Sequence, residues 1–146
     1  MKIRVYYEDT DAGGIVYHAN YIKYCERARS EILFRSNLDV FSPHCNFVVS
    51  AINAKFIRSA HLGDILEVTS KMIKLKRVSF VLRQEIFRVI DISGNSKNEL
   101  LFTADISVAC LNSGKPQRID DELAKFLLSS IDSDGLVLSR SNGSNL

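Results

Sequence analysis

The segment Tyr7-Glu8-Asp9-Thr10-Asp11-Ala12-Gly13-Gly14-Ile15-Val16-Tyr17-His18-Ala19-Asn20-Tyr21 holds the residue types best suited to chemistry in this chain. Acyl transfer needs a group that attacks a carbonyl carbon or activates water, together with donors aimed at the oxygen where negative charge develops. Asp11 offers a carboxylate ahead of two glycines and seven residues before His18. A helix starting near His18 would present unpaired amide N–H groups and the positive end of its dipole, and the small residues before it leave room for a carbonyl oxygen to dock. The same residue types have plainer uses. Asp9 and Asp11 suit ordinary turns, and a His at a helix start commonly satisfies a local hydrogen bond.

The elements that must position this segment follow from hydrophobic period. Residues 2 to 7 alternate charged with apolar and predict a first strand, which ends in the acidic, Gly-containing stretch Glu8 to Gly14. From His18 to Ser36 the positions Tyr21, Cys25, Ala28 and Ile32, with Tyr24 and Leu33 beside them, recur at helical spacing, and Asn20 suits a cap. Beyond Pro43, Phe47, Val49 and Ala51 fall on one phase and Ile52, Ala54 and Phe56 on the other, which predicts a long strand with a bulge near Ala51. Residues 65 to 74 and 78 to 89 predict a hairpin after the turn His61-Leu62-Gly63-Asp64. The clearest strand signal is 100 to 110, where Leu100, Phe102, Ala104, Ile106, Val108 and Cys110 are apolar and Thr103, Asp105 and Ser107 are polar. Residues 120 to 130 predict a short closing helix capped by Asp120 or Asp121, with Leu123, Phe126 and Leu127 on one side. The fold class expected is α+β, a curved antiparallel sheet wrapped around one long central helix. One domain spans 1 to 130, and 131 to 146, rich in Ser, Asp, Asn and Gly, is expected to be a flexible tail.

Composition narrows the function classes. The chain has 146 residues, 46% of them apolar and 25% charged, which suits a soluble globular domain with its own core. Nineteen cations against 17 anions give a net charge of +2, too balanced for a general nucleic-acid binder. No run approaches the ~20 apolar residues of a membrane span, and the charged first residues do not form a signal peptide, so a cytoplasmic location is expected. Cys25, Cys45 and Cys110 are widely spaced, with no Cys-x-x-Cys pair and no His at metal-ligand spacing. Buried or free thiols and no metal site are expected. No Gly-x-Ser-x-Gly elbow or Gly-rich phosphate cradle occurs.

The run Asp11-x-x-Gly14-x-Val16-Tyr17-His18-x-x-Tyr21, followed by a helix rich in Cys, Arg and Glu, closely resembles the hotdog-fold acyl-CoA thioesterases. Within them it is most similar to the Tol-Pal-associated branch of the 4-hydroxybenzoyl-CoA thioesterase family. The resemblance covers residues 1 to 128 and includes the strand-turn from Arg58 to Gly63-Asp64. It implies the hotdog fold and hydrolysis of acyl-CoA to a free acid and coenzyme A, without metal or redox cofactor. It further implies that Asp11 is the catalytic carboxylate, acting as nucleophile or as general base. The backbone N–H of His18 would polarise the thioester carbonyl, with the His18 side chain and Tyr7 as supporting groups. Tyr7 has the plainer alternative of simple packing.

With that substrate in view, Lys71, Lys74, Lys76 and Arg77, with Ser79 beyond them, read in two ways. They are suited to the anionic phosphates of coenzyme A, and equally to a solvated turn that discourages sheet aggregation. Tyr24, Phe47, Phe56 and Phe80 are candidates for lining an acyl tail and equally for core, and Asp105 is assigned no role. A small curved sheet leaves strand edges for a two-fold partner, so a homo-oligomer is expected, a tetramer made of dimers. The resemblance implies that Asp11 of one chain faces the basic turn of another. Two rival functions stand beside hydrolysis. One is a binding or scaffold role toward acyl carrier protein or an envelope complex. The other is an enoyl-CoA hydratase of the same fold, whose sites resemble an Asp and His at shorter spacing.

Overall fold

The structure is a computed structural model and describes residues 1–35, 45–131 and 137–138. Its elements are β1 (Lys2–Arg4), α1 (His18–Phe34), β2 (Asn46–Phe56), β3 (Ile65–Leu75), β4 (Ser79–Ile90), β5 (Ser96–Asn112), β6 (Lys115–Pro116), α2 (Asp121–Ser130) and β7 (Val137–Leu138). A 3₁₀ turn covers Tyr7–Asp9. The strands form one sheet in the order β1-β3-β4-β5-β2, with β6 on β5 and β7 on β3. β1 lies antiparallel to β3 with Ile3 opposite Leu66. β2 and β5 also run in opposite directions, because the Ser50 hydroxyl meets the Ser107 carbonyl while the Ile57 amide meets that of Leu101. No helix among the described residues is long and apolar enough to cross a membrane.

Packing groups the residues into two compact units. The first comprises Met1–Ser30, Ala54–Thr69 and Gln84–Ala104. Here the predicted helical stripe is buried: Tyr21, Cys25 and Ala28 follow at intervals of four and three residues and face the core, with Tyr24 beside them. Tyr21 stacks on Phe102 with ring centres 5.4 Å apart, and Phe56 meets both rings edge-on. Gln84, fully buried, accepts from Arg29 Nη1 at 2.8 Å and donates to the Cys25 carbonyl at 3.0 Å, which satisfies both ends of its amide. Burial pushes the Cys25 thiol up to about 12, so it is a core group and not a nucleophile.

The second unit comprises Glu31–Asn53, Ser70–Arg83 and Asp105–Leu146. Its core draws on Met72, Leu75, Phe80, Leu82, Ile106, Val108 and Ile119, closed by Leu123, Ala124 and Leu127 of α2. The expected cap is present, since the Asp120 carboxylate accepts the Leu123 amide at 2.8 Å. Phe47 and Phe80 meet edge-on at 5.5 Å, and Arg83 forms a two-pronged pair with Asp105 at 2.8 and 3.1 Å.

Several expectations need correction. The first strand stops at Arg4, because the Asp9 carboxylate takes the Tyr6 amide at 2.9 Å and bends the chain into the 3₁₀ turn, placing Tyr7 outside any strand. Along β2 the inward phase changes as expected, since its two half-buried residues, Phe47 and Ala54, are seven apart and so point to opposite faces of a regular strand. As the end strand of the order it is exposed on both sides at every residue except Phe47 and Ala54. A bulge also lies just beyond β2, where the Ile57 and Arg58 amides share the Leu101 carbonyl. Asn20 is inside α1 and does not cap it. Cys45 and Cys110 are joined as a disulfide, with Cα atoms 5.6 Å apart. The antiparallel pairing of β2 with β5 brings these residues together although 65 positions separate them, so the expectation of buried or free thiols holds for Cys25 alone. Ser36 and Pro43 lie outside the described residues. In the expected tail, Ile131 is buried and Val137–Leu138 run parallel to Lys74–Leu75, while 132–136 and 139–146 lie outside the described residues.

Candidate active site

The Asp11 segment belongs to the first unit and is built by main-chain hydrogen bonds. Asp11 N–H donates to the Ile15 carbonyl at 2.9 Å, and Gly14 N–H donates to the Asp11 carbonyl at 3.0 Å. With Gly14 at φ +80, this is a three-residue hairpin loop closed by a left-handed glycine. Thr10 and Val16 bridge its two limbs, and Tyr17 N–H continues the pairing to the Asp9 carbonyl at 2.9 Å. The Asn20 side-chain amide reaches the same carbonyl at 2.8 Å, which ties the first turn of α1 to the limb before Asp11.

The hairpin is fastened to the turn that precedes β3. Val16, buried, donates to the Ala60 carbonyl at 3.0 Å, and Ile15 bridges to His61. The Ala60 amide donates to the buried Tyr21 hydroxyl at 2.9 Å, so this turn grips both the hairpin and the helix. Gly63 pairs with Val5 from the other side. Its φ of +85 suits glycine, and an added Cβ would lie 2.6 Å from Ile92 Cγ1.

Within this frame Asp11 is solvent-exposed, and its Oδ1 accepts the Gly13 amide at 2.8 Å. Its Oδ2 has no donor among the described residues. His18 is the first residue of α1, and among the described residues nothing accepts its backbone N–H. The His18 ring sits between Tyr17 at 4.5 Å and Phe56 at 6.3 Å, continuing outward the aromatic row of Phe56, Tyr21 and Phe102. No hydrogen bond joins the Asp11 carboxylate to His18. Tyr7 is 82% exposed, and only its backbone carbonyl is engaged, by Thr10. Lys74, Lys76, Arg77 and Ser79 are in the second unit, where Lys76 N–H closes the β3–β4 turn onto the Ser79 carbonyl at 2.8 Å. Arg77 is the exposed residue of that turn. Tyr24, Phe47 and Phe80 are taken up by packing, whereas Phe56 remains 51% exposed. Burial, then the nearby Asp9 charge, raises the Tyr24 phenol, whose hydroxyl has no well-formed hydrogen bond.

A polar cluster missed by the sequence reading lies beneath the turn. Arg88 Nε donates to Asp64 Oδ2 at 2.8 Å, and its other nitrogens meet Glu99 at 3.2 Å, the Ser59 carbonyl at 2.5 Å and His61 Nδ1 at 3.1 Å. Burial pulls the guanidinium pKa down, but Asp64 and then Glu99 outweigh it and hold the pKa above its ordinary value. The signal was available. Along β4 the buried phase runs Phe80, Leu82, Gln84, Ile86, Arg88, and a charge on an apolar phase demands partners. Among the described residues no group of three or more His, Cys, Asp or Glu side chains is placed to hold a metal ion.

A long helix with an antiparallel sheet in this strand order defines the class as the hotdog fold, shared with a probable thioesterase from Bartonella henselae. That structure matches with TM-score 0.68 and 31% identity over 82% of this chain and 96% of its own. Residues 13–93 match the thioesterase superfamily, and the chain belongs to that family. The acyl-CoA thioesterase YbgC of Helicobacter pylori is 51% identical over 60% of this chain, a match that spans 65% of that protein's length. The acyl-CoA thioester hydrolase YbgC of Escherichia coli is 36% identical over 75% of this chain and 79% of its own.

The double grip of the 59–64 turn makes a direct prediction. Tyr21→Phe leaves the buried Ala60 amide without an acceptor and should cost about 1–3 kcal/mol of stability in urea denaturation, while Tyr17→Phe at an exposed ring should cost nothing measurable.

Proposed function

We propose that the chain is a cytoplasmic hydrolase of acyl-coenzyme A thioesters in which Asp11 is the reacting carboxylate. The observation that carries this reading is the hairpin itself. It is zipped onto the start of α1 and leaves one Asp11 oxygen and the His18 N–H without partners among the described residues, in a chain of the thioesterase superfamily. The thioester carbonyl oxygen accepts the His18 N–H, where the helix dipole stabilises the charge that develops on it. Asp11 then either attacks the carbonyl carbon, expelling the coenzyme A thiolate and leaving a mixed anhydride for water to open, or takes a proton from the water that attacks. Both routes yield a carboxylic acid and coenzyme A and use no metal or redox group. The His18 imidazole and the Tyr7 phenol are assigned supporting roles beside the carboxylate.

The exposure of Asp11 in a single chain supports a site completed by a second copy. β2 ends the strand order and presents Val48, Val49, Ile52 and Phe56 at 39 to 51% exposure. A long apolar edge of this kind is stable in water only when covered, and a two-fold partner strand covers it. In the resulting homo-oligomer, a dimer of dimers, the turn carrying Lys74, Lys76, Arg77 and Ser79 would hold the phosphates of coenzyme A bound at the partner's Asp11. Acyl carrier protein presents the same thioester and is a candidate second carrier.

Thiol release from acyl-CoAs and acyl carrier protein tests both assignments. Asp11→Asn should lower kcat by roughly 10²–10⁴-fold in a protein that still folds. Retained turnover would show that another group does the chemistry. Lys76→Ala with Arg77→Ala should raise KM by about 10-fold and leave kcat within about 2-fold, and a loss confined to kcat would remove the turn from the phosphate site.

A further inference from the structure

We propose that Arg88 is a positioning residue for the reaction, holding the Asp11 hairpin through the 59–64 turn; this rests on the reading of Asp11 given above. The guanidinium fixes that turn at three points, the Ser59 carbonyl, the His61 ring and the Asp64 carboxylate. Asp64 Oδ2 also accepts the His61 amide at 2.8 Å, so one carboxylate oxygen closes the turn on itself and onto Arg88. A guanidinium only donates, so His61 Nδ1 is the acceptor and the ring carries its proton on Nε2. Ala60, between two anchored residues, and His61, itself anchored, are the groups that touch the reacting segment. Ala60 accepts from Val16 and donates to Tyr21, and His61 bridges to Ile15, whose carbonyl takes the Asp11 amide.

The chemistry of the side chain fits this use. Four partners around one planar fork are within reach of arginine and not of lysine, whose ammonium is a single point charge. A buried ion pair adds little to stability over an apolar replacement, so an Arg on the apolar phase of β4 needs another reason to be there. Fixing the turn supplies one, because the placement of the carboxylate relative to the helix start depends on it.

Native-state hydrogen exchange and steady-state kinetics on Arg88→Lys test the inference together. The Asp11, Val16 and Ala60 amides should exchange at least about 10-fold faster while β5 amides near Val108 keep their protection. In the same protein kcat should fall by about 10²-fold with KM within about 3-fold, as expected when a reacting group is misplaced and not removed. Asp105→Asn, which breaks the exposed pair with Arg83, should change neither readout. Should Arg88→Lys fail to fold, Glu99→Ala removes one partner of the guanidinium and should give the same pattern at about 3- to 10-fold. Unchanged exchange in the hairpin overturns the inference, and so does faster exchange with undiminished kcat. Retained turnover in Asp11→Asn would instead overturn the reading of the site and leave the exchange result standing.

Discussion

A helix that starts inside a protein has N–H groups its own backbone cannot satisfy, and the chain that enters it must be held at a fixed angle. In α1 this constraint is severe, because Tyr21 and Tyr24 in its first two turns are buried. The entering chain cannot wander without pulling those rings from the core. The structure meets the constraint with backbone pairing. Residues 9–11 and 15–17 zip against each other and then against Ala60 and His61, so a stretch of small and acidic residues becomes a rigid lead-in. A carboxylate on such a lead-in has a defined place relative to the open amide of His18. That relation is what catalysis of acyl transfer requires.

The polar residues on the buried phase of β4 extend the same constraint. Gln84 ties the sheet to the Cys25 carbonyl and to Arg29, and Arg88 ties it to the 59–64 turn. Apolar residues at both positions would fill space but hold no register between strand, helix and turn. Fully satisfied networks of this kind specify one arrangement, and half-satisfied ones are costly, which is why all the partners must be present together. Burial lowers the Arg29 pKa, a sign of what desolvation costs a cation even with Gln84 beside it.

Much of this was legible in the sequence wherever one periodicity governs. The stripe of α1, the alternation of β5 from Phe102 onward and the Asp120 cap follow from local spacing, and the residues behave as spacing demands. The Asp11 and His18 positions were legible as a motif, though their mutual placement depends on pairing with Ala60 and His61, more than 40 residues away. The early end of β1 was hidden because a single local hydrogen bond, Tyr6 to Asp9, overrides alternation. Arg88 carried a signal in its phase, but its partners Ser59, Asp64 and Glu99 come from two other segments and only strand order unites them. The Cys45–Cys110 link was illegible for the same reason, since nothing in the sequence pairs β2 with β5.

The central claim is that the thioester carbonyl docks at the start of α1 with the Asp11 carboxylate facing it. A crystal structure of the chain bound to a coenzyme A analogue whose thioester is replaced by a ketone measures this directly. The ketone oxygen should lie within about 3.2 Å of the His18 amide nitrogen, with the carbonyl carbon turned toward Asp11. An analogue bound with its carbonyl away from residue 18, or with residue 11 still facing solvent in the assembled oligomer, would contradict it.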